Sequence, residues 1–76
     1  MPKNLSSGDV AWILNQIGIT FKRRGKEDVY SGKYQEKVRV VIVPRNKSSI
    51  PQGTLSSIWR QAGITSKIAD EIWSKR

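Results

Sequence analysis

The segment Val41-Ile42-Val43-Pro44, a five-residue loop, and then Ile50-Pro51-Gln52-Gly53-Thr54-Leu55-Ser56-Ser57-Ile58-Trp59-Arg60-Gln61-Ala62-Gly63-Ile64 decide the fold. The first part closes Lys37–Val43, the strongest β-branched run in the chain, and Pro44 halts it because proline has no N–H for a sheet ladder. Arg45-Asn46-Lys47-Ser48-Ser49 reads as a polar, basic loop. After it, Leu55, Ile58, Trp59 and Ala62 recur at helical spacing on one face, with Thr54 expected as the cap and Gly63 as the stop. A strand therefore returns through a basic loop into a helix that needs a sheet to cover.

Working outward, Ser6-Ser7-Gly8-Asp9 has the form of a capping box, and Val10, Ile13, Leu14 and Ile17 follow at i, i+3, i+4 and i+7, closed by Gly18. Residues 19–24 alternate apolar with polar or basic side chains. Gly25-Lys26 then turns the chain into Asp28-Val29-Tyr30-Ser31, and Gly25 is expected to use a positive φ. Gly32-Lys33-Tyr34-Gln35-Glu36 reads as the second turn, which leaves Tyr34 in a turn and gives three antiparallel strands. Thr65 is placed to cap a final helix with Ile68, Ala69, Ile72 and Trp73 inward. Trp59 and Trp73 follow their apolar stripes, whereas Trp12 falls off its own, either at the stripe's margin or exposed where a partner chain could cover it. The order predicts a single α+β domain over 1–76, a two-layer α-β-β-β-α arrangement with a short C-terminal helix and one sheet face open.

Seventy-six residues allow one modest core. The chain has no cysteine and no histidine, which removes disulfides, thiolate metal sites and a structural zinc and leaves only carboxylates as ligands. No signal-peptide core or apolar run of about 18 residues is present, so a cytoplasmic protein without a membrane span is expected. Fourteen Lys and Arg against six Asp and Glu give a net charge of +8, a field that suits nucleic acid or an acidic protein. A basic surface kept for solubility is the plainer alternative.

The strand ending in Val43-Pro44, the basic loop, and the run Gly53-Thr54-Leu55-x-x-Ile58-x-Arg60-Gln61-Ala62-Gly63 resemble the second half of HicA toxins, the YcfA-like mRNA interferases of bacterial toxin–antitoxin pairs. The first half fits as well, with its helix to Gly18, Phe21-Lys22-Arg23-Arg24, and Gly25-Lys26-x-x-Val29-Tyr30, so the likeness covers nearly the whole chain. It implies a fold similar to double-stranded RNA-binding domains, an endoribonuclease acting on mRNA, no small-molecule cofactor, and a HicB-like antitoxin as partner. In that family the residue two after the turn glycine is typically the catalytic histidine, and here it is Glu27.

RNA cleavage without a metal needs a base for the 2′-hydroxyl, an acid for the leaving 5′-oxygen, and positive charge on the transition state. Histidine, with an ordinary pKa of about 6.5, serves as acid and base near neutrality, whereas a carboxylate serves only as base. Glu27 is the candidate catalytic residue on these terms, with cleavage weakened or lost. Lys22, Arg23, Arg24, Gly25, Lys26, Arg39, Arg45 and Lys47 are the candidate RNA-binding set. Two further readings stand beside this one. Glu27 and Asp28 simply pair with the surrounding cations on a solvated edge, or the scaffold binds RNA or an antitoxin without cutting. Tyr30 and Tyr34 are candidates for base stacking, with ordinary sheet packing the plainer reading of Tyr30. DNA binding ranks last, because the exposed Ser56, Ser57, Arg60 and Gln61 present one charge.

Overall fold

The computed structural model describes residues 5–45 and 47–75. Its elements run α1 (Ser7–Gln16), β1 (Thr20–Arg24), β2 (Asp28–Tyr34), β3 (Lys37–Val43), α2 (Gln52–Ala62) and α3 (Ser66–Ser74). The strands form one antiparallel sheet in the order β1-β2-β3, with the helices packed on one side. The expected α+β layering is what the chain adopts.

Local signals set most boundaries. The Asp9 amide donates to the Ser6 hydroxyl at 3.1 Å while the Ser6 amide donates to the Asp9 carboxylate at 3.0 Å, so the box starts α1. Gly18 and Gly63 both take left-handed backbones, at φ of 86° and 84°, and end α1 and α2. Thr65 accepts from the Ile68 amide and caps α3.

Thr54 does not cap α2. The helix begins earlier, with Pro51 at the N-cap position and no side-chain cap, and the Pro51 carbonyl accepts from the Leu55 amide at 2.9 Å. Proline's fixed φ suits that helix start and leaves Thr54 inside the first turn. Gly32 and Tyr34 are not in a turn either. β2 continues to Tyr34, and the hairpin closes on Gln35 and Glu36, whose φ values of 52° and 67° make the two-residue connection whose twist matches its strands. Gly32 is needed for another reason: a Cβ there would meet the backbone of Gly18 and Ile19, where the link from α1 to β1 crosses β2. Gly25 does not use a positive φ.

Cross-strand register assigns the faces, because opposed residues share one. Tyr30 and Val41, with Asp28 and Val43, point toward the helices, while Val29 and Ile42, Ser31 and Val40, and Lys33 and Val38 point away. Val41, Val43 and Tyr30 are buried against Val10, Ile13, Leu14, Leu55, Ile58, Trp59 and Ala62. Each fully buried aliphatic or aromatic side chain of this kind stabilises by about 1.5–3 kcal/mol before the entropy of ordering it. Trp12 packs edge-to-face on Trp73 at 6.1 Å, tying α1 to α3 at the margin of the core. Among the described residues no helix is long and apolar enough to cross a membrane.

Candidate nucleic-acid interface

The sheet end at Asp28 and Val43 gathers most of the cations singled out from sequence. Phe21 pairs with Tyr30 but Arg23 pairs with Val29, so β1 carries a bulge with Lys22 unmatched. The bulge puts Arg23 on the open side of the sheet and Arg24, opposite Asp28, on the helix side. The turn is pinned by the Gly25 amide, which donates to the Glu27 carbonyl at 3.2 Å. A shallow cleft of about 430 Å³ is floored by Val29 and Ile42 of the open face and lined by Arg23, Gly25, Lys26 and Glu27, with Arg24 bordering it from the end of β1.

Behind the turn, the Asp28 Oδ1 atom lies 3.8 Å from Arg24 Nε and 3.7 Å from Arg45 Nε. That oxygen is sealed from solvent and has no hydrogen-bond partner among the described residues, so it acts through its charge. The Arg45 guanidinium also donates to the Gly25 carbonyl at 2.9 Å, joining the loop after β3 to the β1–β2 turn. With Arg24 largely in solvent, these pairs contribute under about 1 kcal/mol of stability, and their main effect is to fix where two guanidinium groups sit. Asp28 thus holds cations in place, whereas Glu27 is exposed and its side chain has no ion pair or hydrogen bond among the described residues.

The loop that delivers Arg45 is held by α1. Ser7 donates its hydroxyl to the Pro44 carbonyl at 2.6 Å, and that hydroxyl accepts from the Lys47 amide at 3.1 Å. The Ser7 amide donates to the Lys47 carbonyl at 2.9 Å. Lys47 is consequently exposed at this same end of the sheet, though it does not line the cleft; Asn46 lies outside the described residues. No local pattern marks Ser7 for this role, since the contact spans the chain from α1 to the loop beyond β3.

Arg39 sits elsewhere. It is four residues from Val43, about 13 Å along β3, and faces the helices. Its Nε donates to the Tyr34 carbonyl at 3.4 Å, and its guanidinium lies against Gly63, where an added Cβ would come within 2.6 Å of Cζ. Tyr30 and Tyr34 are both on the helix side. Tyr30 is buried and packs edge-to-face on Phe21 at 5.6 Å, and burial, then the Asp28 charge, raise its pKa above the ordinary 10.0, with Arg24 pulling the other way. Neither tyrosine lines the cleft.

The sequence that builds this cleft matches a known family. Residues 7–64, well over half the chain, match the family described as HicA toxin of bacterial toxin-antitoxin. The protein belongs to that family. Among curated proteins none matches the sequence.

Proposed function

We propose that this HicA-family protein is the RNA-directed toxin of its pair, gripping RNA phosphates at the β1–β2 corner and cleaving slowly with Glu27 as base. The observation that carries this reading is the cleft itself: Arg23, Arg24 and Lys26 surround one exposed carboxylate, and Arg45 is locked behind it. The resemblance stated above supports this role, since Glu27 stands two residues after the turn glycine, where the family's catalytic histidine is typical.

In this mechanism Glu27 takes the 2′-hydroxyl proton, the 2′-oxygen attacks phosphorus, and the P–O5′ bond breaks. Water supplies the proton to the departing 5′-oxygen, and the protonated Glu27 returns its proton to the hydroxide so formed, which regenerates the base. Arg23, Arg24 and Lys26 stabilise the charge on the phosphorane-like transition state. A HicB-like antitoxin with an acidic surface would compete for the same corner, since one set of cations suits either anion. Cytoplasmic mRNA is the expected substrate.

A second reading is favoured by the bare surroundings of Glu27. A catalytic base is ordinarily oriented by a neighbour, and this side chain has none among the described residues. On that reading the corner binds RNA without cutting it.

One assay separates the two. Purified protein, Glu27→Ala and Glu27→His are incubated with a long single-stranded RNA at fixed salt, and products are followed by gel. The proposal expects slow cleavage by the parent, none by Glu27→Ala, and cleavage by Glu27→His faster by about 10²-fold or more, the scale of a well-matched acid–base group. Cleavage by the histidine variant alone supports binding without catalysis. Equal cleavage by the parent and Glu27→Ala removes Glu27 from the mechanism.

A further inference from the structure

The two edges of the sheet are guarded very differently. β1 presents a bulge and three successive cations, Lys22, Arg23 and Arg24, all of which discourage another strand from pairing there. On β3 the strand is regular, and its cations Lys37 and Arg39 point to the helix side, leaving Val38 and Val40 on the open face. Those two side chains are 74% and 52% exposed, unusual for valines on a regular strand of so small a protein.

The backbone at this edge is open as well. In a hairpin with a two-residue turn, the closing pair Tyr34–Lys37 exchanges both hydrogen bonds, and so does every second pair after it. The register therefore turns the N–H and C=O groups of Val38, Val40 and Ile42 away from β2. At Ile42 the amide is already taken, donating to the Gln61 side chain of α2 at 2.8 Å. Val38 and Val40 are left with outward backbone groups and apolar side chains on one face, about the length of a short added strand.

Charge selects the occupant. The open face of the sheet carries Arg23 and Lys33 and no carboxylate on any strand; Lys37 and Arg39 flank the valines on the other face, and the nearby carboxylates lie in the two turns, Glu36 at the hairpin tip and Glu27 at the far corner. A second copy pairing antiparallel through this edge would set Arg39 against Arg39 and bring together two chains of net charge +8. Like charges directly opposed destabilise a strand pair.

We infer that the Val38–Val40 edge of β3 docks an extended acidic segment of a protein partner, added as a fourth strand with alternating apolar and carboxylate side chains. The exposed Val38 and Val40 and the half-buried Ile42 form a row on the open face that leads from this edge to the floor of the basic cleft, which Ile42 also lines. A strand laid here therefore carries its chain toward the corner that an antitoxin must mask. Naming the partner as the antitoxin rests on the function proposed above; the docking edge itself does not.

The test uses an octapeptide alternating valine with glutamate, capped at both ends, and its valine–lysine counterpart, titrated into the full chain by amide NMR. The glutamate peptide should shift the Val38 and Val40 amides and slow their hydrogen exchange. Raising the salt should weaken it, and the lysine peptide should bind at least about tenfold less tightly. Val40→Pro should cost at least about tenfold in affinity, because it removes an outward donor while sparing the β2–β3 ladder. Val38→Glu, which repels the peptide without touching the backbone, gives the same answer should the proline variant misfold. Equal binding of both peptides, unaltered binding by Val38→Glu and Val40→Pro, shifts confined to residues 23–27, or self-association through β3 would each overturn the inference. Single-stranded RNA in a parallel titration reports on the corner alone, so failure of the RNA reading and failure of this one give different spectra.

Discussion

The two ends of β2 use the same kind of residue in opposite ways. At Asp28, guanidinium groups from β1 and from the loop after β3 are held at the surface around one carboxylate, beside a cleft that opens to solvent. At Tyr34, Arg39 is folded in toward the helices, donating to a backbone carbonyl and lying on Gly63. One end displays charge, and the other consumes it in packing. A net charge of +8 thus overstates what is on offer to a polyanion, because geometry decides which cations remain available.

The largest effect that would break this contrast is steric. Gly32→Ala drives a Cβ into the backbone of Gly18 and Ile19, which has no flexible end to move aside, and should cost about 3 kcal/mol in urea unfolding. Gly25→Ala at the other end meets only the Glu27 carbonyl at 3.7 Å, with no positive φ to strain. It should stay within about 0.5 kcal/mol of the parent. Comparable losses for both would mean that the corner is packed as tightly as the far end.

A smaller effect sharpens the picture of the Tyr34 end. Glu36 holds a φ of 67°, a left-handed backbone that side-chain-bearing residues adopt at a cost, so Glu36→Gly should stabilise by up to about 1 kcal/mol. A loss on this substitution would show that Glu36 makes compensating contacts at the hairpin tip.

The smallest effect is a pH dependence. Tyr30 has its pKa raised in the folded state, so its contribution is fully present below the unfolded value of 10.0 and is lost as pH rises through the higher folded one. Stability should therefore fall more steeply above about pH 10 in the parent than in Tyr30→Phe, measured as the difference between their denaturant midpoints. Parallel curves would mean that neither burial nor the Asp28 charge perturbs this hydroxyl.

What the sequence revealed was local. Ser6 with Asp9, Gly18, Gly63 and Thr65 each act within one helical turn, and Lys37–Val43 is bounded by its own composition and by Pro44, so these positions could be read one at a time. Gly32 misled because its glycine answers a distant backbone rather than a turn, and the true turn uses Gln35 and Glu36, which carry no turn signature. Thr54 lost its capping role to Pro51, whose fixed φ starts the helix earlier. In the candidate site, residues 23–27 are contiguous and were legible together. That Arg45 joins them while Arg39 does not depends on the path of the chain after β3, and Ser7, distant in sequence but in contact with that loop, holds the path.

The most direct test of the corner as the RNA-binding site is the salt dependence of affinity for a single-stranded RNA, compared for the parent, Lys26→Ala and Arg39→Ala. If Lys26 contacts phosphate, its removal should weaken binding and flatten the plot of log K against log salt by about 0.7, while Arg39→Ala lowers stability and leaves the slope unchanged. An unchanged slope for Lys26→Ala, or an equal flattening for Arg39→Ala, would contradict the account.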